Sequence, residues 1–287
     1  MRNYVIFTDS CADLTREAYE ELGIKVTQLD VIVEGEDPVP NDQIDNKEIY
    51  EKLRSKKSAS TAAVNIDKFL KVFEEALQEG LDILYLGFSS GLSGTYQAST
   101  VAAEELREKY PEAKIYTVDT LCASMGQGLL VWRAVKMKND GADIETVRDY
   151  AESTKLNLCH WFTVDDLFFL KRGGRVSAAT AVVGSLLSIK PVMHVDNAGK
   201  LINVSKVRGR RAAIDALFEN MKRSMLPDVN DVAFISHGDC LEDAEYLANR
   251  IKNELGVPRV EINYVGPVIG SHSGPGTLAL FFLGKER

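Results

Sequence analysis

The sequence predicts an α/β protein of two domains, an N-terminal one on a mostly parallel sheet and a C-terminal α+β one on a mixed or antiparallel sheet. Three observations predict it. Through the first half, short apolar runs alternate with amphipathic stretches, the rhythm of strands joined by crossover helices. The second half carries longer β-type runs, two of them separated only by Asp196-Asn197-Ala198-Gly199, a hairpin signal. A length of 287 residues, 45% hydrophobic and 26% charged, is globular in composition but too long for one comfortable core.

In chain order, the first strand covers residues 4–7 and ends in Phe7-Thr8-Asp9-Ser10, polar residues where open α/β sheets place their ligand crevices. Residues 34–44, with their prolines and carboxylates, read as an excursion from the sheet. Residues 58–65 (SASTAAVN) read as a loop from which Thr61 and Asn65 can donate toward a ligand. Asp67 then caps a helix over 66–80, with Phe69, Leu70, Phe73 and Leu77 as its buried stripe and Gly80 as its stop. A strand over 83–88 runs through Ser89-Ser90-Gly91-Leu92-Ser93-Gly94 into a helix over 95–110, ended by Pro111. After a strand over 114–118, a helix over 142–155 closes the first domain, giving domains 1–156 and 157–287. Strands over 159–164, 189–195, 201–207, 232–237 and 260–265 follow, separated by helices near 178–187, 210–225 and 242–255.

The glycine turn carries the clearest chemistry. It aims the hydroxyls of Ser89, Ser90, Ser93 and Thr95, with the unpaired N–H groups of a helix N-terminus, at one point favourable for an anion. No Lys follows the last glycine, and the spacing matches neither a dinucleotide fingerprint nor a nucleophile elbow. Residues 266–276 (GPVIGSHSGPG) read as a shaped loop holding His272 as a ligand-facing donor. Residues 166–175 (DLFFLKRGGR) turn at Gly173-Gly174 so that Arg172 and Arg175 project, with Phe168 and Phe169 as apolar wall. Two arrangements stay open. His272 with Ser93 and Thr61 would clamp a carboxylate, whereas His272 with Ser93 as nucleophile and Asp9 or Asp119 as orienting group would make a serine hydrolase of acyl esters.

Charge and cysteines exclude other classes. With 34 Lys plus Arg against 42 Asp plus Glu, the net charge of −8 disfavours nucleic acid and anionic membranes as partners. No basic leader and no run of about 18 apolar residues stands out, so the reading is cytoplasmic, without stable membrane insertion. Cys11, Cys122, Cys159 and Cys240 show neither metal-ligand spacing nor a disulfide pattern, and no cofactor is suggested. Within this acidic chain, residues 200–223 set seven cations against two carboxylates, and Arg208, Arg210 and Arg211 suit a docking partner.

Six ordered segments give the chain a resemblance to the DegV family of bacterial lipid-binding proteins: FTDSCADL, GFSSGLSGTYQAS, VDDLFFLKRGGRVS, LLSIKPVMHVDNAGKL, ISHGD and IGSHSGPGTLAL. The resemblance covers essentially the whole chain. It implies a two-domain protein enclosing one long-chain fatty acid, with the carboxylate held between the domains. It also implies a partner, a separate ATP-dependent fatty acid kinase that makes acyl phosphate for phospholipid synthesis, this chain being carrier and not enzyme. By position, Ser93 and Thr61 would hold the carboxylate with His272 close by, and Arg175 is the family arginine of the GGR segment. Where the family reads Thr-Ser-Gln-Pro-Ser, this chain reads Thr61-Ala62-Ala63-Val64-Asn65, which implies altered head-group or chain preference. A lipid sensor without kinase coupling is the remaining class.

Overall fold

The computed structural model describes residues 2–177 and 188–287. The helix expected near residues 178–187 lies outside the described residues. Four parallel strands form the first sheet: β1 (Tyr4–Asp9), β2 (Lys25–Thr27), β6 (Asp82–Gly87) and β7 (Ile115–Asp119), in the order β2-β1-β6-β7. β1 and β6 are buried along their whole length, as continuous apolar runs between helical layers should be. Helices α3 (Ile66–Gln78) and α4 (Thr95–Lys109) cover this sheet, α3 laying Phe69, Phe73 and Leu77 into the core.

A small antiparallel sheet stands beside it, made of β3 (Asp30–Val33), β4 (Val39–Pro40) and β5 (Ala59–Ala62) in the order β4-β3-β5. It corrects two expectations at once. Residues 34–44 do not simply leave the sheet, and residues 58–65 are no plain loop: Thr61 sits on a strand opposite Val31. The strand was hidden because Ala-Ser-Thr-Ala has no apolar alternation; Val31 and Val33 of its neighbour supply the buried face.

Beyond residue 157 a six-stranded mixed sheet takes over, in the order β10-β9-β8-β13-β11-β12. Its strands are β8 (Leu158–Thr163), β9 (Ile189–Val195), β10 (Leu201–Arg208), β11 (Val232–His237), β12 (Arg259–Tyr264) and β13 (Leu278–Leu283). The β9/β10 hairpin turns at Asp196-Asn197-Ala198-Gly199 as predicted, with Val195 opposite Leu201. Only β11 and β12 run parallel; β8, β9, β10 and β13 pair antiparallel. Helices α8 (Arg210–Ser224) and α9 (Leu241–Leu255) pack on this sheet around Phe218, Leu247 and Ile251.

Helix α5 (Met125–Asn139) joins the two halves. Residues from Met125 to Val131 are all buried, and the helix packs on β1 and β6 on one side and on β8, β11 and β13 on the other. A helix buried on several faces cannot show a clean amphipathic stripe, which is why the sequence gives no periodic signal for it. One core therefore runs through both halves, from Leu84 and Leu86 through Leu129 and Leu130 to Phe234 and Phe281.

A second tie is the hairpin tip. Ser89 Oγ donates to the Gly199 carbonyl at 2.8 Å, and Gly199, at φ 70°, passes so close that a Cβ there would sit 2.1 Å from that oxygen.

Candidate ligand site

Between the halves lies a cavity lined by residues of both. Its wall is mostly apolar, with Phe88, Leu92, Phe162, Leu170, Val268 and Phe281 prominent. Thr61, Ser93, Arg175 and His272 share that wall, so the structure brings four of the five expected binding residues to one cavity.

Each is positioned by its element. The β3/β5 pairing presents Thr61. Ser93 ends the glycine turn before α4; its Oγ lies 3.0 Å from Thr95 Oγ1 and accepts from the Thr95 N–H at 3.2 Å. His272 belongs to α10 (Pro267–Ser273), which corrects the expected loop: Pro267 at the first helical turn starts a short helix whose glycines had suggested irregular chain. Its Nε2 meets Thr61 Oγ1 at 2.8 Å. Arg175 follows α7 (Leu167–Arg172); its Nε donates to the Leu92 carbonyl at 3.2 Å and its Nη1 to the Gly173 carbonyl, tying the turn after α7 to the glycine turn of the first sheet. Gly173 has to be glycine, because a Cβ there would lie 2.3 Å from His272 Nδ1.

Burial pushes the His272 imidazole down to about 4, helped by the neighbouring Arg175 and Arg172 cations. His272 is therefore neutral at pH 7, and Nδ1 has no hydrogen-bond partner among the described residues. Because its pKa in the folded chain lies below the ordinary histidine value of 6.5, its contribution to stability is complete above pH 6.5 and is lost as pH falls toward 4. His272→Gln is expected to flatten the acid side of the stability–pH profile by about 2 kcal/mol across that window, read from urea midpoints. Superimposable wild-type and variant profiles would contradict this.

Other expected residues do different work. Asn65 is exposed and caps α3, accepting from the Lys68 N–H at 2.9 Å, so the cap expected at Asp67 falls two residues earlier and Asn65 does not join the cavity. The four hydroxyls of the glycine turn do not converge: Ser89 is spent on Gly199, and Ser90 is exposed. Phe168 is 55% exposed, and Phe169 packs against Arg172 and Gly274, so neither forms cavity wall. In the basic segment, Arg208 is exposed, Arg211 is exposed and stacks on Tyr246, and Arg210 is half-buried and paired within the chain with Asp243 at 2.8 Å and with Asp165. Sequence reasoning missed His160, Ser124, Ser236 and Ser273 on the cavity wall, since single polar residues inside apolar strands and short helices carry no spacing signal.

The hydrolase relay is not assembled. Asp9 is fully buried and accepts from the Cys11 N–H at 3.0 Å, the Tyr85 hydroxyl at 2.6 Å and the Phe88 N–H at 2.8 Å. Asp119 accepts from the Ser90 and Leu121 N–H groups, each at 3.1 Å. His272 thus has Thr61 at Nε2, where a triad places its nucleophile, and no carboxylate at Nδ1, while the Ser93 hydroxyl bonds Thr95 and not the imidazole. Among the described residues no group of three or more His, Cys, Asp or Glu could hold a metal ion, and no helix is long and apolar enough to cross a membrane.

A family model described as "Uncharacterised protein, DegV family" matches residues 3–285. The chain belongs to the DegV family. A DegV domain-containing protein of Clostridium perfringens is 46% identical over 289 residues, covering 100% of this chain and 99% of the relative. Among solved structures, a DegV family protein from Thermus thermophilus, described by its fatty acid binding, superposes with a TM-score of 0.88 at 30% identity, covering 99% of this chain and 100% of that one. DegV from Bacillus subtilis, described as a fatty acid binding protein, superposes with a TM-score of 0.86 at 27% identity, over 99% and 100% of the two chains. The DegV fold thus accounts for the parallel first sheet and the mixed second one.

Proposed function

We propose that this protein binds one long-chain fatty acid in the cavity between domains 1–156 and 157–287, with its carboxylate at Thr61, Ser93, His272 and Arg175. The observation that carries the reading is a cavity with apolar walls whose cationic group and uncharged donors are gathered around the Thr61–His272 contact. About 15 methylenes at roughly 0.8 kcal/mol each offer on the order of 12 kcal/mol of gross transfer free energy, against which the costs of association are set. Hydroxyls and a neutral imidazole meet the carboxylate with hydrogen bonds, and Arg175, whose guanidinium already serves two carbonyls, adds charge from the side. Related DegV proteins described as fatty acid binding support the same ligand class.

The test is mass spectrometry of an organic extract from freshly purified, never-denatured protein. A long-chain fatty acid near one per chain is the expected result; a lipid-free extract from protein that also refuses added fatty acid would end the reading.

The bound acid is then presented to a separate ATP-dependent fatty acid kinase, which makes acyl phosphate for phospholipid synthesis. Support comes from a head-group site built without a catalytic relay and from exposed cations in a chain of net charge −8. Because Arg210 closes ion pairs within the chain, the docking test uses Arg208→Glu with Arg211→Glu. The double variant is expected to keep its lipid while acyl-phosphate formation by the kinase falls by about tenfold or more. Unchanged turnover would remove these arginines from the docking surface.

A further inference from the structure

The cavity wall contains polar groups that an unbranched acyl chain does not use. Ser124 Oγ donates to Asp13 Oδ2 at 2.5 Å and lies 2.8 Å from Ser236 Oγ. Both serines line the cavity, and Asp13, Ser124 and Ser236 are all buried. Ser124 precedes α5, where a serine ordinarily folds its hydroxyl onto the first turn of the helix. Here it makes no such bond, and its backbone sits at φ 52°, a left-handed conformation uncommon for a residue with a side chain. The hydroxyl is turned away from its own helix toward Asp13 and Ser236.

Either serine can donate in their shared bond, and burial pushes Asp13 up to about 7, so both of its protonation states are populated near neutral pH. With Asp13 ionised, Ser124 donates to it and Ser236 donates to Ser124, which leaves the lone pairs of Ser236 Oγ as acceptors on a wall that is otherwise largely apolar; with Asp13 protonated the hydrogen-bond chain runs the other way and the Ser236 proton is free to donate. A second hydroxyl on the same wall, that of Ser273, is buried with no partner among the described residues. Unused polar groups in an apolar cavity are where a ligand polar group gains over a plain hydrocarbon.

We infer that Ser236, oriented by Ser124 and Asp13, recognises a hydroxyl carried on the hydrocarbon chain of the ligand, so that the protein accepts hydroxylated long-chain fatty acids. The inference rests on the fatty-acid reading and adds the substitution of the chain. The ligand hydroxyl donates to Ser236 Oγ when Asp13 is ionised and accepts from it when Asp13 is protonated. A plain fatty acid still fits, because with Asp13 ionised the Ser236 proton is already bonded and only its lone pairs go unmatched. The position of the hydroxyl along the chain is selected by its distance from the carboxylate held at Thr61, Ser93 and His272.

The test measures dissociation constants of stearate and of a positional series of monohydroxystearates for the whole protein, by displacement of a fluorescent fatty acid. In the wild type, one positional isomer is expected to bind about tenfold tighter than the other isomers, and Ser236→Ala is expected to erase that preference. A role confined to tying the two halves together would lower the melting temperature of the variant but leave the ratio between isomers unchanged, and an unchanged ratio overturns the inference. A flat positional series in the wild type overturns it as well. If the wild type retains neither stearate nor any hydroxystearate, the fatty-acid reading fails and this inference with it; stearate binding with a flat series fails the inference alone.

Discussion

Asp9→Ala is expected to destabilise the protein by about 3–5 kcal/mol. The carboxylate is completely buried, and burial raises its pKa while the bonds from Tyr85, Phe88 and Cys11 pull it back. These donors come from three places: the turn after β1, the interior of β6 and the residue that leads into the glycine turn. Alanine leaves the Tyr85 hydroxyl and the Phe88 N–H buried without an acceptor, and each such orphan costs about 1–3 kcal/mol, with a cavity added where the carboxylate stood. Asp9→Asn keeps the shape and one good acceptor, so its loss should be smaller. Urea unfolding of the three proteins checks the order; a loss below about 1 kcal/mol for alanine would show that the network relaxes or admits water. Since Phe88 opens the segment that carries Ser93, the alanine variant should also retain less lipid after purification.

The second large effect falls on binding. Thr61→Val and Ser93→Ala are each expected to weaken fatty-acid affinity about tenfold, and the pair together about a hundredfold. Thr61→Val keeps the side chain's volume and β-branching on β5 but removes the oxygen that meets His272 Nε2 at 2.8 Å. Ser93→Ala removes a hydroxyl whose partner, Thr95, retains a link to the Val64 N–H at 3.3 Å, so the glycine turn keeps its shape. Both sites are only half-buried, and the folded state should lose little. Displacement of a fluorescent fatty acid provides the affinities. If neither single variant moves them, the carboxylate is held elsewhere on the wall; if the double variant is no weaker than the singles, the two hydroxyls act as one unit.

The site was legible where its residues sit in segments whose local pattern is itself constrained. The glycine turn between a strand and a helix marks Ser93, and the GGR segment marks Arg175, because a turn must follow wherever an apolar run stops at glycine. His272 lies on the cavity wall although its segment reads as a loop in the sequence: the prolines and glycines that suggest irregular chain start and end a helix of seven residues. Thr61 lies on the cavity wall from a strand that the sequence does not signal, since a strand of small polar residues is made by its partner and not by its own periodicity. Asn65 and Arg210 point the other way. Both are polar residues in promising segments, and both are consumed locally, one by a helix terminus and one by Asp243.

Sequence by itself determined the fold class, the strands β1, β6 and β7 with the helices α3 and α4, the β9/β10 hairpin and the glycine turn, because hydrophobic period and turn chemistry act over a few residues. Tertiary structure alone decided that α5 lies between the two sheets, that His272 meets Thr61 across 211 positions of chain, and that Asp13, Ser124 and Ser236 form one line of hydrogen bonds on a cavity wall. Those pairings depend on which buried faces meet when two sheets close on a shared helix. A hydrogen bond between distant residues leaves no period in either segment; it forms because a buried polar group left without a partner is too costly to keep.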